Sequence, residues 1–101
     1  MTNHFAVIVQ RGASWDQAAP SSEQPDYEEH SAIWRKLESD GFVAMAGLMK
    51  DSMEVLFIIR ADSIEEVKKR IGEDPWQKDG LAKIVRVEPI DIRFGAPSAP
   101  R

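Results

Sequence analysis

Few side chains in this sequence could do chemistry at neutral pH, and two of them stand out by position. His30 lies in a segment of helical periodicity, among polar neighbours yet on the stripe that faces inward. Asp74 precedes Pro75 and Trp76 in the stretch GEDPWQKDGL. A carboxylate hydrogen-bonded to one nitrogen of an imidazole fixes its tautomer and leaves the other nitrogen as a base. Plainer readings stand beside this one. His30 alone reads as a half-buried histidine bonded to backbone, since buried polar groups normally find partners. Asp74 alone reads as a cap or turn acid before proline. Trp76 reads as a lid over the end of the core. Trp15 sits in a loop, where a large ring must pack on the domain edge or on a ligand.

The elements that would position these residues can be read from patterning. Phe5 to Val9 is short, apolar and β-branched, and reads as a strand buried on both faces. Residues 11 to 24, with Gly12, Pro20 and several serines, read as a loop. Asp26 and Glu29 have capping-box spacing, so a helix is expected from about 25 to 39, stopped by Gly41. Tyr27, Trp34 and Leu37 form its inward stripe, and His30 falls on it. Phe42 to Leu48 and Met53 to Ile59 read as a hairpin around Lys50-Asp51-Ser52. Ser63 and Glu66 open a second helix, with Ile64, Val67 and Ile71 inward and Gly72 at its end. The last strand starts near Leu81. Its apolar parity flips across Glu88-Pro89, which places a one-residue bulge there.

The order β-α-β-β-α-β predicts an α+β, ferredoxin-like subunit, an antiparallel sheet with both helices on one face. Such a topology sets the helices side by side and lets Asp74 reach His30. It also leaves the second sheet face bare, although two of the strands are apolar throughout. A second copy packing its sheet there is the economical cover, so a homodimer is expected, joined in part by the long bulged last strand.

Composition limits the rest. The 101 residues predict one domain, 1–94, with 95–101 as a flexible tail. A net charge of −4 argues against a nucleic-acid partner, and Lys68-Lys69-Arg70 reads as a solvated helix face. There is no cysteine, hence no disulfide, thiolate metal site or cysteine nucleophile. His4 and His30 have no metal-ligand spacing, and no glycine-rich phosphate fingerprint is present, so neither a metal nor another cofactor is expected. The N-terminus MTNHFAVIVQ lacks a basic leader and no run approaches a membrane span, so a cytoplasmic location off the membrane is the expectation.

Taken together, several stretches resemble the YciI-like (YCII-related) family of the dimeric α+β barrel superfamily. They are Gly12 to Trp15, His30 with Leu37, Gly41, Ala46-Gly47, Asp62 to Glu66, and Asp74-Pro75-Trp76 with Gly80-Leu81. The resemblance runs from residue 5 to about 94. It implies a ferredoxin-like subunit, a dimer with sheets face to face, and an active-site pair that maps onto His30 and Asp74. The chain departs from the family at Tyr27-Glu28-Glu29, where an arginine and a proline often precede the histidine, and at Leu48, where a proline often follows Ala-Gly. A related branch eliminates HCl from a chlorinated hydroxyhydroquinone, and neighbouring muconolactone isomerases move protons on lactones. The resemblance therefore implies a cofactor-free lyase or isomerase acting on a small cyclic or aromatic metabolite. His30 would be its base, Asp74 the orienter, and Trp15, Trp34 and Trp76 the substrate-binding walls. The alternative is a non-catalytic small-molecule-binding or accessory dimer in which His30 and Asp74 are a structural polar pair.

Overall fold

The computed structural model describes residues 3–95. The expected tail falls outside the described residues except for Gly95. The elements are β1 (Asn3–Arg11), α1 (Tyr27–Ser39), β2 (Val43–Leu48), β3 (Val55–Ala61), α2 (Ile64–Ile71), α3 (Pro75–Lys78) and β4 (Ala82–Pro89). The four strands form one antiparallel sheet in the order β2-β3-β1-β4, the ferredoxin-like arrangement expected from the sequence.

The register sorts the side chains into two faces. Val7 lies opposite Phe57 and Val87, Phe5 opposite Ile59, and Val9 opposite Val55 and Ile84. This face packs on the helices: Val7, Ile59, Val67 and Ile71 are wholly buried, with Leu37 and Phe42 beside them. The stripes read on the two helices are the ones used. Tyr27, Ile33 and Trp34 on α1 and Ile64 on α2 pack against the same core. The opposite face pairs Ala6 with Ile58 and Ile8 with Leu56. Ala6, Ile8 and Leu56 are only half-buried, so β1 is buried on one face of this chain and not on both.

Four local expectations are corrected. Asp26 does not cap α1. It takes a left-handed conformation (φ 59°) and its side chain makes no capping hydrogen bond. β3 begins at Val55, because Met53 lies in the left-handed region (φ 61°) inside the hairpin turn. β4 ends at Pro89, and its bulge is not at Glu88-Pro89. Ile8 faces Arg86 while Val9 faces Ile84, which makes Val85 the extra residue. Finally, the segment after α2 is not a plain turn but contains the helix α3.

That segment explains the stretch GEDPWQKDGL locally. The Asp74 carboxylate accepts from the Trp76 backbone N–H at 2.9 Å, and Pro75 occupies the first helical position, where its missing N–H costs nothing. Gly80 takes φ 75° after the last turn. The Leu81 N–H returns to the Trp76 carbonyl at 2.9 Å, and the Gly80 N–H to Gln77, a Schellman stop. The end of α1 repeats the device with Gly41 (φ 82°): Phe42 donates to Leu37 and Gly41 to Glu38. Gly12 crosses α3's exit at close quarters. Its N–H meets the Leu81 carbonyl at 2.7 Å, and a Cβ on it would lie 2.0 Å from the Gly80 carbonyl oxygen. The close crossing holds the 12–24 loop against the end of α3.

Candidate functional site

The Asp74 side chain is buried, 2% exposed, and both of its oxygens are used. Oδ1 accepts the Trp76 backbone N–H. Oδ2 lies 2.8 Å from His30 Nδ1 and accepts the Trp34 indole N–H at 2.8 Å. The acid is thus both the cap of α3 and the hydrogen-bond partner of the α1 histidine. An ionised carboxylate only accepts, so the hydrogen between it and the imidazole belongs to Nδ1. Nε2 then keeps its lone pair, on the ring edge away from Asp74. His30 stays 21% exposed and borders an open cavity. Its ring plane is fixed from the side by Trp76, whose ring stacks on it at 3.5 Å and 12°.

The tryptophans frame this pair. Trp76 is anchored through its indole N–H, which donates to the Pro25 carbonyl at 2.6 Å. Trp15 meets it edge to face at 5.1 Å. Trp34 stacks on Phe57 at 4.4 Å, an arrangement that adds about 0.5–1.5 kcal/mol to area burial. All five residues singled out in the sequence line one cavity of about 380 Å³. Trp34 is more than a wall, because its indole N–H fills part of the carboxylate's hydrogen-bonding capacity. The connection to the His30 end of α1 is made by α3 and its flanks: Asp74, Trp76 and their bonds to His30, Trp34 and Pro25 span the two elements.

Two contributors escaped the sequence reading. Gln24 is 4% exposed in a polar loop. Its amide oxygen accepts from the Asp16 N–H, and its amide nitrogen donates to the carbonyls of Asp16 and Ala19. One glutamine therefore closes the loop that carries Trp15. Phe57, on the helix-facing side of β3, forms the cavity floor beneath Trp34. The strand is apolar throughout, so nothing in its pattern set Phe57 apart as part of a pocket.

Where α1 begins and α3 ends, Asp26 and Asp79 come together. Asp26 is pushed above its ordinary value of 3.8, first by its hydrogen bond with the Asp79 carboxyl, then by desolvation and by the charges of Glu29 and Asp79. A raised acid contributes stability below its unfolded value and loses it as pH rises through the folded one. The like charge of Asp79 opposes ionisation of Asp26, so the pair weighs against the fold as the pH rises. Asp79→Asn is therefore expected to raise the melting temperature at pH 7, with a gain that shrinks as the pH is lowered towards 3.8. Melting curves at both ends of that range check it, and a gain that persists undiminished in acid would assign the effect to something other than this pair.

No family model and no curated protein sequence matches the chain. Among solved structures, it is similar to the 5-chloro-2-hydroxyhydroquinone dehydrochlorinase of Burkholderia phenoliruptrix, solved in complex with 2,5-dihydroxybenzoquinone. The two are 21% identical, the match covers 90% of this chain and 95% of that one, and the TM-score is 0.50. At that identity the likeness speaks to the fold alone: the chain has an α+β subunit of the kind found in dimeric α+β barrels. No helix among the described residues is long and apolar enough to cross a membrane.

Proposed function

We propose that this protein is a cofactor-independent lyase or isomerase of the YciI-like kind that removes a proton from a small cyclic or aromatic metabolite. The observation that carries the reading is the Nδ1-to-Asp74 contact of 2.8 Å in a cavity walled by rings. General-base chemistry needs a positioned acceptor, a carboxylate behind it that holds the tautomer and stabilises the imidazolium, and a shaped space for the carbon acid. His30 is the base, Asp74 the orienter, and Trp15, Trp34 and Trp76 the walls. Once His30 has taken the proton, an adjacent leaving group departs with the electron pair in a lyase. In an isomerase the imidazolium returns the proton at another carbon. The substrate of the dehydrochlorinase similar in structure, a chlorinated hydroquinone, is the first compound to try.

The working unit is a homodimer through the open sheet face. That face carries half-buried Ala6, Ile8 and Leu56 flanked by Met45 at 52% and Val85 at 43% exposure. Apolar surface of this kind is stabilised by a second sheet laid over it. The expected last strand reaching across to the partner is shortened by the structure, since β4 stops at Pro89.

The test is a panel of small cyclic carbon acids and chlorinated hydroquinones incubated with the protein in D₂O. Deuterium incorporation or chloride release is expected for at least one ring-bearing compound, from a protein that elutes as a dimer. A dimer that binds such rings but exchanges no proton and releases no chloride would make it a binding protein instead.

A further inference from the structure

Beside the ring-walled cavity lies a second chamber of about 720 Å³, bordered by Gln17, Ser52 and Glu54. The first chamber is a slot among rings and the second is a polar mouth. Gln10, Arg11, Trp15 and Ser21 line both, so Arg11 stands with them at the doorway between the two. Its guanidinium sits over the Trp15 ring at 4.2 Å. A guanidinium held over a ring by the cation–π attraction can still offer N–H donors to a planar acceptor. Among the described residues no carboxylate forms an ion pair with it. The acid nearest in the mouth, Glu54, instead accepts from the Gln10 amide at 2.8 Å. Arg70 is committed to Asp40 and Arg86 to Glu88, while exposed Arg35, on the same cavity wall, donates to the Ser31 carbonyl. Arg11 is half-buried, held by an aromatic ring, and short of an anion.

We propose that Arg11 is a specificity-determining residue that receives a carboxylate of the ligand, so that the cavity selects anionic ring compounds over their neutral counterparts. The ring lies between the tryptophans beside His30, and the carboxylate points to the doorway. This rests on the cavity being a ligand site as proposed above. Fixed in place by Trp15, the guanidinium loses little conformational freedom on binding, and its fork suits a bidentate carboxylate. A hydrogen bond to a charged group is worth about 1.5–3 kcal/mol, but partial exposure weakens it, so about a tenfold preference is expected.

Benzoate and benzamide have nearly the same shape and differ in charge, and the sequence holds three tryptophans whose indole N–H signals report on the site. Titrations of the full chain followed by NMR are expected to show benzoate binding about tenfold more tightly than benzamide, shifting the Trp34 and Trp76 signals. Arg11→Gln should abolish that preference, Arg11→Lys should restore part of it, and Arg35→Gln, on the same cavity wall, should leave it intact. Equal binding of the two probes, survival of the preference in Arg11→Gln, or its loss in Arg35→Gln would overturn the assignment to Arg11 while leaving the proton-abstraction reading in place. If neither probe moves either indole signal, the cavity is not a ring-binding site and both readings fall together.

Discussion

Asp74→Ala is expected to destabilise the protein by about 3–5 kcal/mol, the usual cost of breaking a buried polar pair. The size follows from what the carboxylate holds. It is 1% exposed as a residue and accepts from three donors, the Trp76 N–H, the Trp34 indole and His30 Nδ1. Truncation strands these donors, each at about 1–3 kcal/mol, and the terms do not add because they share one site. It also removes the cap of a four-residue helix whose only buried residue, Trp76, walls the cavity. A domain of this size has about 5–15 kcal/mol in total, so the variant should unfold at a much lower urea midpoint. Asp74→Asn separates charge from shape. If its amide oxygen takes the place of Oδ2, its NH₂ faces the Trp76 N–H. If the oxygen takes the place of Oδ1, the NH₂ faces the Trp34 indole N–H. One donor meets another either way, and only the histidine can change tautomer to adapt. An intermediate loss of about 1–3 kcal/mol is therefore expected. Urea titrations of the two variants check the order, and an Asp74→Asn protein as stable as the parent would show that the carboxylate is not held by all three donors.

The fold was legible because helix and strand periods alternate cleanly. Val67 and Ile71 on α2 are buried as their spacing requires, while β1, an unbroken apolar run read as buried on both faces, buries Phe5, Val7 and Val9 and leaves Ala6 and Ile8 half-buried. The failures have local causes. Asp26 and Glu29 have the spacing of a capping box, but Asp26 takes a left-handed conformation that carries its side chain away from the first-turn N–H groups, so no capping bond forms. At Ser63 the box is offset by one residue: Ser63 Oγ accepts from Glu66 N–H, yet the Glu66 carboxylate accepts from Asp62 N–H. In β4 the bulge was misplaced because Val85 is apolar and counts towards the inward parity, although it is the looped-out residue and 43% exposed. A valine at a bulge is invisible to a pattern made of apolar positions.

The site was legible for a different reason. His30 sits on an apolar stripe where a histidine is out of place, and Asp74 sits before a proline, where a cap or turn acid is expected. Topology brings the two ends together. Trp34 follows from the inward stripe of α1, and Trp15 and Trp76 follow because a large ring in a loop or short connection must find a partner. Gln24 and Arg11 gave no such signal. A glutamine in a polar loop and an arginine at the end of a strand are the commonest of surface residues, and only the folded backbone shows that one is enclosed and the other stands over Trp15. Roles of this kind arise from long-range approach, such as Gly12 against Gly80, which no period in the sequence encodes.

His30→Asn should lower the rate of proton abstraction by about 10²–10⁴-fold, the range a positioned general base provides. Asparagine suits the test because its amide nitrogen can stand near the place of Nδ1 and donate to Asp74 Oδ2, so the buried carboxylate keeps a partner. Nothing then stands at Nε2 to accept a proton. The loss should fall on kcat more than on KM, because the walls of the cavity, Trp15, Trp34, Trp76 and Phe57, are untouched. Far-ultraviolet dichroism and the urea midpoint should change little beside the rate. His30→Ala strips the donor as well, so it should show the same kinetic loss with an added drop in stability, and the difference between the two variants measures what the Nδ1 bond contributes to folding. Trp34 keeps Oδ2 partly satisfied in both, which holds that difference well below the cost of losing Asp74 itself. The kinetic readout uses a compound that exchanges or eliminates with the parent protein. A His30→Asn protein that keeps parental activity on it would exclude the imidazole as the base and leave His30 as a packing partner of Trp76.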